Sequence, residues 1–463
     1  MTSSLPRVAI IGAGSSGITA LKTLGEQGFD VTCFEASDRV GGNWVYENKN
    51  GMSACYRDLH INTSRPRMEY ADLPMPESYP DYPRHDQIAA YFDGYVDRFA
   101  IRDRIRFETR VERAARAADG TWRLEPSGGA AERFDALVVA NGHHWDPRWP
   151  EPAFPGAEGF HGVQMHSHEY RHPDDFADRD VVVVGMGNSA MDIAVEASYV
   201  ARSVQLVARR GAHIVPKYIF GRPTDQLAGG PLAARIPFAI RRRIAAIVVR
   251  LYVGDLTGFG LPEPDHALGQ AHPTISGRII DRITHGAVRV RPNIRRLDGE
   301  EVEFEDGARA HADVVVYCTG YRISFPFFDP DLISAPDNRI GLYRRVFHPE
   351  IPNVFFIGLL QPLGAVMPLA EAQGRWVAEY LRGEYALPAA SEMRRWIVED
   401  RRAMSRRYVA SKRHAIQVDF DDYLLDLARE RRIGAERARA AGFAPPVAPL
   451  AAHAAHEREE ASA

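Results

Sequence analysis

Val8-Ala9-Ile10-Ile11-Gly12-Ala13-Gly14-Ser15-Ser16-Gly17 decides the fold, together with Val31-Thr32-Cys33-Phe34-Glu35 downstream. The first stretch reads as a buried apolar strand, a glycine turn and the start of a helix over Ile18 to Gln27. The second reads as a parallel strand ending in an acid. Gly12 allows the tight turn, Gly14 lets a pyrophosphate approach the backbone, and Gly17 lets the helix pack on the strand. The helix N-terminus offers unpaired N–H groups and partial positive charge to phosphate, with Ser16 in that first turn. Glu35 stands where a carboxylate accepts hydrogen bonds from a ribose 2′-hydroxyl. A glycine turn without a ligand is the bland alternative; strand, turn, helix, strand and acid in register favour a dinucleotide.

A second copy of the signal follows. Asp180-Val181-Val182-Val183-Val184-Gly185-Met186-Gly187-Asn188-Ser189-Ala190 is again strand, turn and helix N-terminus, with Ala190 in the third small position. Its next strand, Ser203 to Ala208, ends in Arg209-Arg210 instead of an acid. Guanidinium groups suit a 2′-phosphate because their planar fork binds phosphate oxygens in pairs. The second dinucleotide is therefore expected to be NADP. The alternative is a solvated arginine pair at a strand end.

The 463 residues are enough for two or three domains. With 45% apolar and 25% charged residues, the composition is that of an ordinary globular protein. A net charge of −4 gives no reason to expect nucleic acid as a partner. The three cysteines form no C-x-x-C pair and fit a reducing cytoplasm. No signal peptide is expected before the first strand, and no apolar run is long enough to span a membrane. Ile236 to Val253 comes nearest but is cut by Arg241, Arg242, Arg243 and Arg250. It reads as an amphipathic surface or interdomain helix in preference to one lying on a membrane. Histidines such as His143, His144, His266 and His272 show no metal spacing, so no metal is expected. Composition leaves a homodimer open.

Between the two turns lie an irregular segment over residues 52 to 84, a helix over Gln87 to Phe99 and a β meander over residues 105 to 137. Residues 135 to 142 form a buried strand rejoining the first sheet. Residues 211 to 285 read as a helical insertion capping the cleft. A small meander over Val288 to Phe304 follows. Asp313 to Tyr321 and Asn353 to Gly358 are further buried strands, and Ala370 to Leu381 is a helix. The expected architecture is α/β, with two Rossmann-like dinucleotide-binding domains, parallel sheets and β-meander crossovers. Residues 1–165 and 313–428 make a discontinuous first domain, 166–312 an inserted second one, and 429–463 a helical tail whose last dozen residues fray.

Phe160-His161-Gly162-Val163-Gln164-Met165-His166-Ser167-His168-Glu169-Tyr170 resembles the identifying motif of the flavin-containing monooxygenase family, F-x-G-x-x-x-H-x-x-x-Y/F, and lies between the two turns as it does there. Gly42-Asn43-Trp44, Asn62-Thr63-Ser64 and Thr319-Gly320-Tyr321 resemble further family segments. The likeness runs over about residues 7 to 425. It implies FAD held by Gly12, Gly14, Gly17 and Glu35, with Gly42, Asn43 and Trp44 along the flavin and Asn62 and Thr63 at its edge. It implies NADPH held by Gly185, Gly187, Asn188, Ser189 and Ala190, with Arg209 or Arg210 on the 2′-phosphate. Gly320 joins the cofactor set. In the implied chemistry NADPH passes hydride to flavin N5 and O₂ adds at flavin C4a. A soft nitrogen or sulfur nucleophile of a small molecule then takes the distal oxygen of the hydroperoxide. Asn62 is the candidate catalytic residue, its amide able to donate and accept. His166 is expected to pin the interdomain linker. Tyr170-Arg171 departs from the Trp ending of the Baeyer–Villiger motif and favours heteroatom oxygenation. Ketone oxygenation, amine N-hydroxylation and a non-catalytic FAD- and NADP-binding regulator are the rivals. The microsomal members carry an apolar C-terminal anchor; this sequence ends in Arg, Glu and Ala, so membrane attachment is not expected to carry over.

Overall fold

A computed structural model of the chain describes residues 5–228, 236, 238–408, 415–443 and 445–447. The chain divides into two compact units. One comprises Met1–Ser53, Arg65–His143 and Ile323–Ala463; the other comprises Ala54–Ser64 and His144–Arg322.

The first unit is built on a five-stranded parallel sheet. Its order is Val354–Phe356, Ala136–Val139, Arg7–Ile11, Asp30–Phe34 and Ile105–Arg106. The central strands are apolar on both faces because helices and loops cover both sides, as parallel sheets require. The helix Ser15–Glu26 follows the glycine turn and packs on the helix Met367–Leu381. Gly374 makes that approach possible, since a Cβ there would lie 2.6 Å from Thr23 Oγ1. The crossover between Ile105–Arg106 and Ala136–Val139 carries the expected antiparallel meander, Val111–Arg116, Trp122–Pro126 and Glu132–Phe134. The expected helix before it spans His85–Arg98.

The second unit repeats the plan. Its parallel order is Arg289–Arg291, Ser203–Val207, Asp180–Val184, Val314–Tyr317 and Val163–His166. Its crossover is again a three-stranded meander, Ile294–Asp298, Glu301–Phe304 and Arg309–His311.

Three sequence boundaries and the reading of the insertion change. Val314–Tyr317 belongs to the second sheet, paired in register with Val181–Val184, so the second unit runs to Arg322 and does not end at residue 312. Val163–His166 pairs on the other side of that strand, so residues 144–165 also lie outside the first unit. The 211–285 insertion is not purely helical: Ile214–Val215 pairs with Thr274–Ile275, and Tyr218–Ile219 with Arg222–Pro223. Finally, residue 429 is no boundary. The helix Phe420–Ala440 runs through it, with Gly434 against the Tyr385 ring and Glu430 accepting from Tyr385 Oη at 2.9 Å. The last dozen residues fall outside the described ones.

Candidate functional site: two glycine-turn cradles and a clamped asparagine segment

Gly12 leaves its strand at φ +99°, a conformation that side chains disfavour, and a Cβ there would lie 2.7 Å from the Ala140 carbonyl oxygen. A Cβ at Gly17 would lie 1.8 Å from the Gly12 carbonyl oxygen, so only glycine lets the helix meet the turn so closely. Gly42 (φ +54°) faces Gly14 across the turn; a Cβ on Gly42 would lie 3.1 Å from Gly14 Cα. Glycine backbone thus lines both sides of this turn. The helix starts at Gly14 with no acid in its first turn, leaving N–H groups for an anion. Ser16 presses on Gly358, where a Cβ would lie 1.9 Å from Ser16 Oγ, and Gly358 N–H donates to buried Gln373 Oε1 at 2.8 Å. Gln373 escaped the sequence reading because nothing in a helical pattern marks a glutamine as facing inward.

Glu35 is buried and turned onto the loop. Ala13 N–H donates to Oε2 and Ser37 N–H to Oε1, each at 2.7 Å. Burial raises its pKa, and these two N–H groups oppose that rise. Asn50 Nδ2 also donates to Oε1 at 3.5 Å, which leaves Oε2 the freer oxygen for a hydroxyl donor. Asn43 and Trp44 follow Gly42 in a single 3₁₀ turn, and the Asn43 carbonyl accepts from Ser53 Oγ at 3.1 Å.

In the second unit Gly185 (φ +139°) repeats Gly12. A Cβ there would meet the Cys318 carbonyl oxygen at 2.9 Å, the counterpart of the Ala140 contact. The helix Asn188–Ala197 starts at Gly187 with no acid in its first turn. Ala190 is fully buried in the third small position. Asn188 has a second task, accepting from Ile275 N–H at 2.8 Å, while Thr274 Oγ1 donates to the Met186 carbonyl at 2.6 Å. The insertion is thereby tied to the turn. Arg209 and Arg210 are both exposed but differ. Arg210 is committed to Asp265 at 2.7 Å, whereas Arg209 has no partner among the described residues. Gly320 (φ +84°) sits in this unit, its carbonyl accepting from Arg148 N–H at 2.9 Å.

Asn62 and Thr63 also belong to the second unit, on a segment held at several points. Tyr56 Oη donates to Asp192 Oδ2 at 2.6 Å, and Arg57 N–H to the Arg171 carbonyl at 2.8 Å. Lys217 Nζ donates to the Ile61 carbonyl at 3.1 Å. Ser64 donates through both N–H and Oγ to Asp225 Oδ2, each at 2.8 Å. Between Lys217 and Asp225 the Asn62 side chain has no partner among the described residues: a fixed backbone presents an unengaged amide. Sequence reasoning singled out Asn62 but not Lys217 or Asp225, which only the folded insertion brings to this segment.

Tyr170 is fully buried, stacks on Phe176 and donates to Glu196 Oε2 at 2.5 Å. Burial, reinforced by Asp192 one turn earlier, pushes the Glu196 carboxyl up to about 7. His166 is buried, its Nδ1 accepts from His168 N–H at 3.1 Å, and burial pushes it down to about 4. Its ring also meets Trp149 and Tyr321. Asp180, His311 and Asp313 bring possible ligand atoms within 4.8 Å of one another. Their oxygens already serve Arg202 (2.6 Å), Ser203 Oγ (2.6 Å) and Asp180 N–H (2.8 Å), so the group closes a sheet end.

Two parallel sheets, each with a glycine turn feeding a bare helix N-terminus, are the arrangement of a protein that binds two dinucleotides. The chain matches the flavin-binding monooxygenase-like family over residues 5–438 and belongs to it. It is 38% identical to flavin-containing monooxygenase 5 of Rattus norvegicus over 91% of this chain and 82% of that protein. It is 33% identical to dimethylaniline monooxygenase [N-oxide-forming] 2 of Mus musculus over 93% and 83%. Among solved structures it resembles S-allyl-L-cysteine S-oxygenase from Allium sativum, with 26% identity, a TM-score of 0.70 and 95% and 93% of the two chains covered. The protein is an NADPH-dependent flavin monooxygenase that uses FAD. Among the described residues no helix is long and apolar enough to cross a membrane.

Proposed function

We propose that the protein transfers one oxygen atom of O₂ to a soft nitrogen or sulfur centre of a small molecule. The observation that carries this is the unengaged Asn62 amide on a backbone clamped from both sides. Relatives named for N-oxide formation and for S-oxygenation lie on either side of this choice of atom.

The residues fit the two cofactors. Gly12, Gly14, Gly17 and Gly42 leave no side chain between backbone and a pyrophosphate, and Glu35 accepts from ribose hydroxyls of FAD. Gly185, Gly187, Ser189 and Ala190 form the NADPH turn. Arg209 is the better candidate for the 2′-phosphate because Arg210 is spent on Asp265. Asn43 and Trp44 border the flavin. Bound flavin, once reduced by NADPH, supplies the activation of O₂ and the oxygen atom. The protein needs no strong acid at the reacting centre; it needs a dry site with fixed neutral dipoles. Asn62 meets that need, because its amide donates without supplying a proton that would release the oxygen as H₂O₂. Lys217 and Asp225 hold the main chain on either side of it. The first unit is the discontinuous FAD domain and the second the NADP domain, in a cytoplasmic enzyme consistent with three free thiols.

The test is a panel of thioethers, tertiary amines and cyclic ketones, scored as product per NADPH consumed. Sulfoxide or N-oxide in near-stoichiometric yield supports the reading. Lactone from the ketone with neither of those products would replace it with Baeyer–Villiger chemistry.

A further inference from the structure

Ser15 and Ser16 begin the helix that follows the first glycine turn, and each is held from outside by a chain of contacts. Both chains start at the first turn of the C-terminal helix Phe420–Ala440. One runs through buried side chains. Ser16 presses on Gly358, whose N–H donates to Gln373 Oε1 at 2.8 Å. Gln373 Nε2 donates to Tyr423 Oη at 2.8 Å, and Tyr423 Oη donates to the Arg344 carbonyl at 2.8 Å. An inverted Gln373 amide would set N–H against N–H at Gly358, so this chain runs in one direction. Gln373 is fully buried, and the chain satisfies both ends of its amide.

The other chain leaves from Asp421, which accepts from Arg67 Nη2 at 3.1 Å. The Arg67 guanidinium also lies 4.8 Å from the centre of the Phe420 ring. Arg67 belongs to the short helix Arg65–Met68. Just beyond that helix Tyr70, fully buried, donates from Oη to the Ser15 carbonyl at 2.5 Å. A third contact steadies the same region. The strand Gln417–Asp419 pairs with Gln361–Leu363, and a Cβ on Gly364 would lie 3.0 Å from Phe420 Cβ. Residues 417–423 thus reach Ser15 and Ser16 by separate routes inside one compact unit. Those serines open the helix whose unpaired N–H groups serve the pyrophosphate, so their placement aims the donors. Tyr385 offers a contrast. Its Oη donates to Glu430 Oε1 at 2.9 Å, two turns further along the same helix, in a bond that leads to neither serine.

We infer that Tyr423 and Arg67 are positioning residues for FAD: the first turn of the C-terminal helix fastens the first turn of the cofactor helix and sets how tightly FAD is kept. This rests on the first glycine turn holding FAD. The test strips FAD from the full-length protein and titrates it back well below the melting temperature, reading Kd from flavin fluorescence. Tyr423→Phe strands Gln373 Nε2 and the Arg344 carbonyl without a partner, and should raise the FAD Kd about tenfold. Arg67→Gln should raise it about threefold, and it stands in for Tyr423→Phe if far-UV circular dichroism shows that variant unfolded. With FAD saturating, both should keep the KM for NADPH within about twofold, because the NADPH turn lies in the other unit. Tyr385→Phe should lower Tm and leave the FAD Kd within about twofold. Gly17→Ala separates the inference from the reading beneath it. If Gly17→Ala loses FAD while folded Tyr423→Phe, or its stand-in, keeps the wild-type Kd, the inference falls and the first turn remains the FAD site. A wild-type Kd in all of these variants overturns both. A rise in Tyr385→Phe equal to that in Tyr423→Phe also overturns the inference, since the effect then follows stability alone.

Discussion

The two glycine turns share one topology but are not interchangeable. In both, the first glycine abuts the carbonyl that ends the crossover strand, Ala140 in one and Cys318 in the other. They diverge at the helix and at the end of the second strand. Gly17 sits so close to Gly12 that a methyl group has no room, whereas the matching position tolerates Ala190. Glu35 is buried and folded back on its own loop, while Arg209 stands exposed without a partner among the described residues. The first turn is closed and internally bonded, which suits a cofactor that stays. The second is open and charged, which suits one that comes and goes.

Exchanging the small residues tests this asymmetry most harshly. Gly17→Ala overpacks the first turn by about 1–3 kcal/mol or more, and FAD content after purification should fall about tenfold. Ala190→Gly should leave FAD content unchanged, as absorbance of the released flavin would show. If both variants keep FAD equally, the first turn is not the tighter one.

The two arginines come next. A charge-assisted contact is worth about 1.5–3 kcal/mol, so Arg209→Ala should raise the KM for NADPH about ten- to hundredfold and leave that for NADH unchanged. Arg210→Ala should shift it less than about threefold, because its exposed pair with Asp265 contributes about 0–1 kcal/mol. The reverse order in steady-state kinetics would exchange their roles.

A smaller effect is expected at the clamped segment. Asn62→Ala, or Asn62→Asp, should spare NADPH oxidation within about twofold and lower product per NADPH about tenfold, with H₂O₂ making up the difference. Lys217→Met should show a milder loss of the same kind, and Lys217→Arg should restore part of it. Unchanged coupling in the Asn62 variants would remove Asn62 from the site.

The mildest change concerns pH. Glu196 titrates near 7 when folded and near the ordinary carboxyl value of 4.5 when unfolded. The folded state therefore holds the extra proton between those values, and the stability it confers is lost as pH rises toward 7. Glu196→Gln should flatten the fall in Tm between about pH 5 and 7 by a few degrees, measured by thermal melts across that range.

Both cradles were legible from the chain because each is local. A strand, a turn demanding positive φ and a helix start lie within about a dozen residues, so spacing alone reports them. Asn62 was legible only through family likeness. Nothing in residues 54–64 shows that they fold with the second unit, since the groups that hold them lie more than 100 residues away, at Asp192, Lys217 and Asp225.

Sequence alone determined that two dinucleotide folds exist, that one turn ends in an acid and the other in arginines, and that a flavin chemistry follows. Tertiary structure decided which sheet Val314–Tyr317 completes, because a valine run buried on both faces fits either sheet until it pairs with Val181–Val184. It decided which arginine is unengaged, since Asp265 reaches Arg210 only through the folded insertion. It also decided that the isoleucines of Phe238–Val253 point outward: periodicity reports that a helix has an apolar face, and only packing reports where that face looks.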